Sequence, residues 1–233
     1  MRLTVLGSTA GAPSRTNPAS GYLVECDDVS IWLDAGTGTF MELAQRIDPG
    51  TLDAVVISHI HVDHCADLYG LYGYLAFGPS GDVPVKVFAP RDAAAHLAAF
   101  ARATKEHVFN VVLDIEEVEP GVEVAVGDVT LRFGDAVHPV PSLVTRVEAR
   151  GVSLVYSGDT GPGGDLVEIS AGADVLLCEA SLQGVRDSQT YPYHLMAREA
   201  GEAAARADAR QLIVTHVGAL MDPQVSVDEA SAA

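Results

Sequence analysis

The sequence predicts an α/β fold in which two sheets lie face to face with helices outside. Two observations predict it. Short apolar, β-branched runs alternate with segments of helical spacing, and the second half of the chain repeats the strand-then-helix order of the first. No low-complexity linker separates the halves, so 1–233 reads as one domain. At 233 residues and 48% apolar content the chain can bury a substantial core.

The elements follow in order. Leu3-Thr4-Val5-Leu6 is a short strand, and Gly7-Ser8-Thr9-Ala10-Gly11-Ala12-Pro13 then calls for a loop with special backbone angles. Gly21-Tyr22-Leu23-Val24-Glu25 and Ser30-Ile31-Trp32-Leu33-Asp34 read as paired strands, with a helix over 40–47 that Asp34 could cap. Ala54-Val55-Val56-Ile57 has the length and branching of a buried strand, and Ser58 ends it. A helix is expected over 66–77, burying Leu68, Leu71, Tyr72 and Leu75, then a strand over 85–89 and an alanine-rich helix over 91–103. His96 within that helix and His107 just after it have no ligand partner nearby in sequence and read as surface or packing residues. Short strands follow from Val108 through 122–126 to 130–133, then over 143–149, 153–156 and 174–178. A helix over 195–207 and a strand over 212–214 come next. A helix starting near Val225 has no closing strand after it. The C-terminal end therefore reads as shortened, or as leaving a sheet edge that a homodimer could pair.

The formal charge is −18, from 14 Lys+Arg against 32 Asp+Glu. Such a surface repels long polyanions, whose binding draws on many Lys and Arg contacts to phosphate, so nucleic acid is not the expected partner. A small anion can still bind where a metal supplies local positive charge. Cys26, Cys65 and Cys178 are odd in number and lack paired-thiolate spacing, so they read as reduced, buried side chains of a cytoplasmic protein. No charged-then-apolar leader or long apolar span is seen, which speaks against a membrane location.

The chemistry concentrates in His59-Ile60-His61-Val62-Asp63-His64. Three of the chain's eight histidines fall in this run, directly after a buried strand. Alternation along an extended segment sends His59 and His61 to one side, and a turn through Asp63 presents a second pair. Charged imidazoles crowded this closely would repel one another, and burying them unpaired is costly. A divalent cation removes that conflict, and two cations use all four groups. Further candidates, His138, Asp159 and His216, each follow a predicted strand.

The His-x-His-x-Asp-His pattern resembles the metallo-β-lactamase superfamily, whose fold is a four-layer αβ/βα sandwich of two mixed sheets flanked by helices. That resemblance implies a dinuclear centre with His59, His61 and His138 on one metal, Asp63, His64 and His216 on the other, and Asp159 bridging them. It also gives Asp34 a supporting hydrogen bond to the metal loop. Nitrogen and oxygen donors without thiolate suit zinc, manganese or iron; zinc is expected first, with manganese equally consistent with the spacing. Two such cations would activate a water near neutral pH.

Cys178-Glu179-Ala180-Ser181 and the later His194 resemble the branch that contains ribonuclease Z, the tRNA 3′-processing endonuclease, and related phosphodiesterases. Leu6-Gly7-Ser8-Thr9-Ala10-Gly11-Ala12-Pro13 and His138-Pro139-Val140-Pro141-Ser142 agree with that branch. There Glu179 and His194 would serve the leaving group, which makes Asp63, Glu179 and His194 the expected catalytic residues. A carboxylate beside His194 favours its protonated form against the adverse field of a following helix. The tRNA enzymes commonly carry a flexible basic arm, which one group inserts between the ligands matching His138 and Asp159. Here those residues lie only 21 positions apart, with Arg150-Gly151 as a tight turn between them. The arm-free cyclic-nucleotide phosphodiesterases look most similar. The expected substrate is thus a small phosphodiester, first a 3′,5′-cyclic nucleotide such as cAMP. A tRNA 3′-processing endonuclease, a lactone or thioester hydrolase, and a non-catalytic metal-stabilised binding module are the alternatives. Tyr69, Tyr72, Tyr191 and Tyr193 could stack a base, although packing is their commoner role.

Overall fold

The computed structural model describes residues 1–78, 84–102 and 109–233. It resolves into two compact units, Met1–Val118 and Glu119–Ala233. His107 and parts of the expected helix over 91–103 and of the strand run starting at Val108 lie outside the described residues.

Unit 1 carries a six-stranded sheet among the described residues, with its strands side by side in chain order. They are β1 (Arg2–Gly7), β2 (Gly21–Cys26), β3 (Val29–Leu33), β4 (Ala54–Val56), β5 (Val85–Pro90) and β6 (Leu113–Val118). The first two pairings are antiparallel and the other three parallel. Helices α1 (Thr39–Ala44), α2 (Val62–Cys65), α3 (Leu68–Phe77), α4 (Ala93–Phe100) and α5 (Phe109–Val112) fill the connections. Leu43, Leu68, Leu71, Leu97 and Phe109 from these helices pack with Leu23, Trp32, Val55 and Val87 of the sheet. Parallel strands need such crossovers, which is why the central runs are almost wholly apolar. The expected helix over 66–77 begins at Leu68, because Val62–Cys65 already forms its own helical turn inside the histidine run. Tyr69 and Tyr72 are partly buried and pack against the core of this unit, the commoner role expected of them.

Unit 2 repeats the plan. The strands of its six-stranded sheet are again side by side in chain order: β7 (Glu123–Val126), β8 (Val129–Asp135), β9 (Leu143–Ala149), β10 (Val152–Tyr156), β11 (Val175–Glu179) and β12 (Leu212–Thr215). The last two pairings are parallel. Helices α6 (Leu166–Ile169), α7 (Ala197–Arg206) and α8 (Pro223–Ser231) complete it. Leu166, Leu195, Ala200 and Ala203 pack on Val144, Val155, Leu176 and Cys178. The expected helix over 195–207 starts two residues later, at Ala197, with Met196 extended before it and His194 in a bend. All three cysteines are buried and free, as the composition suggested. Among the described residues no helix is long and apolar enough to cross a membrane.

Candidate metal centre and acid–base pair

Every candidate side chain in unit 1 sits where a parallel strand ends. Asp34 follows β3 with φ +55° and is fully buried. Its Oδ1 accepts the Ser58 N–H at 2.6 Å, and its Oδ2 accepts the Ser58 hydroxyl at 2.7 Å and the His64 Nδ1 at 2.6 Å. The sequence left Asp34 two roles, and the structure selects the second: it holds the histidine loop, while the Phe40 N–H at the start of α1 is taken by the Asp67 Oδ2 at 2.8 Å.

Counting protons along this network fixes the rings. A carboxylate accepting from Ser58 has no proton to give, so the His64 Nδ1 donates and its Nε2 keeps a lone pair. Ser58 spends its one hydroxyl proton on Asp34, so toward the His59 Nδ1 at 3.1 Å it accepts, which leaves the His59 Nε2 unprotonated. That nitrogen faces the His61 Nδ1 at 3.0 Å, and the His64 Nε2 faces the Asp63 Oδ2 at 3.5 Å. The backbone N–H of Gly11 reaches the Asp63 Oδ2 at 2.7 Å and orients it. A Cβ at Gly36 would strike the carbonyl oxygens of Asp63 and Ser20, so only glycine lets the Asp34 loop close on the histidine turn. Cys65 lies beside His64, but burial pushes its thiol up to about 12, which leaves it a packed thiol rather than a thiolate ligand.

In unit 2 the side chains come from separate strand ends. Glu179 ends β11 with no solvent exposure. Its Oε1 accepts the Thr160 N–H at 2.8 Å and the His194 Nδ1 at 2.9 Å; its Oε2 accepts the Ser181 hydroxyl at 2.6 Å and the Ser181 N–H at 3.2 Å. The Ser181 Oγ, its proton already given, accepts from the His216 Nδ1 at 2.7 Å and so leaves the His216 Nε2 with a lone pair. His216 itself sits at φ +52° directly after β12. Asp159 is buried, with Oδ1 3.2 Å from the His216 Nδ1 and Oδ2 3.9 Å from the His194 Nδ1. His138 directs its Nδ1 to the Tyr193 carbonyl at 3.3 Å, with its ring 5.6 Å from that of His194.

The structure thus brings His59, His61, Asp63 and His64 together in unit 1. In unit 2 one ligand atom each from Asp159, Glu179, His194 and His216 falls within 4.8 Å of the others. His96 is exposed, hydrogen-bonded to the Asp92 carbonyl, and belongs to neither group. Sequence reasoning missed Ser58 and Ser181. Their signal was adjacency, one preceding His59 and the other two residues after Glu179. The donor set fits divalent metal: the Nδ1 atoms of His59, His64, His138 and His216 are tied back by carboxylate, hydroxyl or carbonyl, beside buried carboxylates and no ionised thiol.

The crystal structure of the metallo-beta-lactamase fold protein YhfI from Bacillus subtilis superposes on this chain with a TM-score of 0.86. It shares 26% identity and covers 99% of this chain and 92% of its own. The fold is accordingly the metallo-β-lactamase fold, and the class is a metallo-hydrolase. Residues 30–217 match the model of the beta-lactamase superfamily domain, and the chain belongs to that family. Protein ML1173 of Mycobacterium leprae is 35% identical over all of this chain and 83% of its own length. A ribonuclease Z of Kineococcus radiotolerans is 29% identical over 92% of this chain and 82% of its own.

Proposed function

We propose that the protein is a dinuclear-metal phosphodiesterase of small phosphodiesters, with a 3′,5′-cyclic nucleotide such as cAMP as first substrate. His59, His61 and His138 would hold one cation, Asp63, His64 and His216 the other, and Asp159 both. The cations, zinc first and manganese second, would supply water activation and charge neutralisation at the phosphoryl oxygens.

The observation that carries the reading is the 2.9 Å bond from the His194 Nδ1 to Glu179. An ester or lactone hydrolase needs no such pair, whereas a departing ribose alkoxide needs a proton. Glu179 keeps the Nδ1 proton in place, so the Nε2 is the nitrogen that gives one up. After donation the ring is neutral and still held. Asp63, steadied by Gly11, works on the water side of the reaction.

Chelation should abolish turnover of both bis(p-nitrophenyl) phosphate and cAMP, and added zinc or manganese should restore it. His194→Ala should keep its metal and lose about 10²-fold in kcat on cAMP. Full cAMP turnover by that variant would contradict the acid role. A second reading, tRNA 3′-end cleavage, is favoured by the ribonuclease Z relative. The net charge of −18 and the 21-residue interval after His138 weigh against it.

A further inference from the structure

The turn segment that carries His194 is gripped by one guanidinium. The Arg186 Nη2 donates to the His194 carbonyl at 2.6 Å, and its Nη1 donates to the Tyr191 carbonyl at 3.2 Å. The same side chain makes a two-pronged pair with Glu199, Nε to Oε1 at 2.6 Å and Nη2 to Oε2 at 2.7 Å. Glu199 lies in the first turn of α7 and also accepts the Met196 N–H at 2.9 Å. Three points of the segment, at 191, 194 and 196, are therefore tied to one ion pair that α7 anchors in the core. Neither partner touches Glu179, Asp159 or a candidate ligand through the bonds named here.

The arrangement fits a job at the backbone. A histidine donor must present its Nε2 to a leaving oxygen within a few tenths of an ångström, and its ring direction follows from where its backbone sits. Glu179 fixes the ring at the Nδ1. A second fixed point is needed to set the swing about that bond, and the carbonyl of His194 is that point. Arginine suits it because the planar fork reaches two carbonyls and a carboxylate at once, which lysine cannot do.

We infer that Arg186, backed by Glu199, is a positioning residue for His194 and acts on leaving-group protonation. This rests on the acid role proposed above for His194. It predicts a dependence on the leaving group: cAMP expels an alkoxide that needs a proton, whereas bis(p-nitrophenyl) phosphate expels a phenolate that leaves largely without one.

The test compares Arg186→Gln, Arg186→Lys, His194→Ala and the double variant Arg186→Gln/His194→Ala, all metal-replete. Metal content and thermal midpoint are read beside kcat and KM on both substrates. Arg186→Gln should lower kcat on cAMP about tenfold with KM nearly constant, and should lower turnover of the p-nitrophenyl ester far less. Arg186→Lys should fall between it and the parent. In the His194→Ala background the Arg186→Gln change should add nothing on cAMP. Equal losses on both substrates in Arg186→Gln, or an undiminished loss in the double variant, would overturn the positioning role. Should Arg186→Gln not fold, the Arg186→Lys variant carries the same ratio test. Should His194→Ala itself show no leaving-group dependence, the acid reading falls, which separates that failure from a failure of Arg186 alone.

Discussion

The histidine loop of unit 1 and the strand ends of unit 2 solve the same physical problem with the same parts. Each has one buried carboxylate at the end of a parallel strand, holding one histidine directly and a second through a serine hydroxyl. Asp34 takes His64 at 2.6 Å and reaches His59 through Ser58; Glu179 takes His194 at 2.9 Å and reaches His216 through Ser181. They differ in what the directly held ring does. His64 turns its Nε2 toward Asp63, a candidate ligand. His194 is partly exposed and has a ligand atom within 4.8 Å of Asp159, Glu179 and His216, yet it stands outside the ligand set that the family pattern implies. On the proposed assignment one buried carboxylate would organise ligands alone, and the other would divide its hold between a ligand and a proton donor.

The largest effect that could break this comparison comes from its two carboxylates. Asp34→Ala strands the Ser58 N–H and the His64 Nδ1 in a dry site, and should cost about 3–5 kcal/mol of stability together with its metal. Denaturant unfolding and elemental analysis would read both. Glu179→Gln keeps the shape of its site and should retain metal while losing about 10²-fold in kcat on cAMP. If Glu179→Gln instead sheds metal as Asp34→Ala does, its hold on His216 and His194 is a ligand-holding one and the two halves are equivalent.

The two serines sharpen the same point at smaller cost. Ser58→Ala and Ser181→Ala each free one ring to rotate or change tautomer, and each should weaken metal binding about tenfold in a chelator competition. Equal affinity in both variants and the parent would show that the hydroxyls merely fill space.

The smallest effect is in acid. Burial works against ionisation of Glu199, but the Arg186 fork, the Met196 N–H and the guanidinium charge outweigh it and hold the carboxyl below its ordinary value. A lowered folded value contributes stability that is present above the unfolded carboxyl range and is lost as the pH falls through the folded value. The difference in thermal midpoint between the parent and Glu199→Gln should therefore shrink as the pH drops below about 4. A difference that stays constant down to pH 3 would mean that the ion pair is not its source.

How much of this could be read from the residues follows from chain distance. His59, His61, Asp63 and His64 share six positions, so local periodicity alone suggested their convergence. His138, Asp159, Glu179, His194 and His216 are scattered, and single histidines after strands are common. Position after a predicted strand, read in company with the histidine run, marked His138, Asp159 and His216, whereas Glu179 and His194 came only from the family pattern. The alternating patterns implied two sheets but not the order of strands within them, which follows the chain in each six-stranded sheet once the two-residue strand Thr9–Ala10 is set aside. Ser58, Ser181, Arg186 and Glu199 were not legible as a group, because a serine or an ion pair gains its role from where the backbone places its proton. Helix starts drifted by two residues at Leu68, because Val62–Cys65 forms its own turn, and at Ala197, because Met196 stays extended and bridges to Leu182.

One measurement bears most directly on the proposal of a small-phosphodiester hydrolase. The zinc- or manganese-loaded chain is given cAMP and a 3′-extended precursor tRNA in parallel, and products are followed by chromatography and gel. Opening of cAMP to a nucleoside monophosphate, lost on chelation, with the tRNA left whole, is the expected result. Cleavage of the tRNA with cAMP untouched would contradict the account.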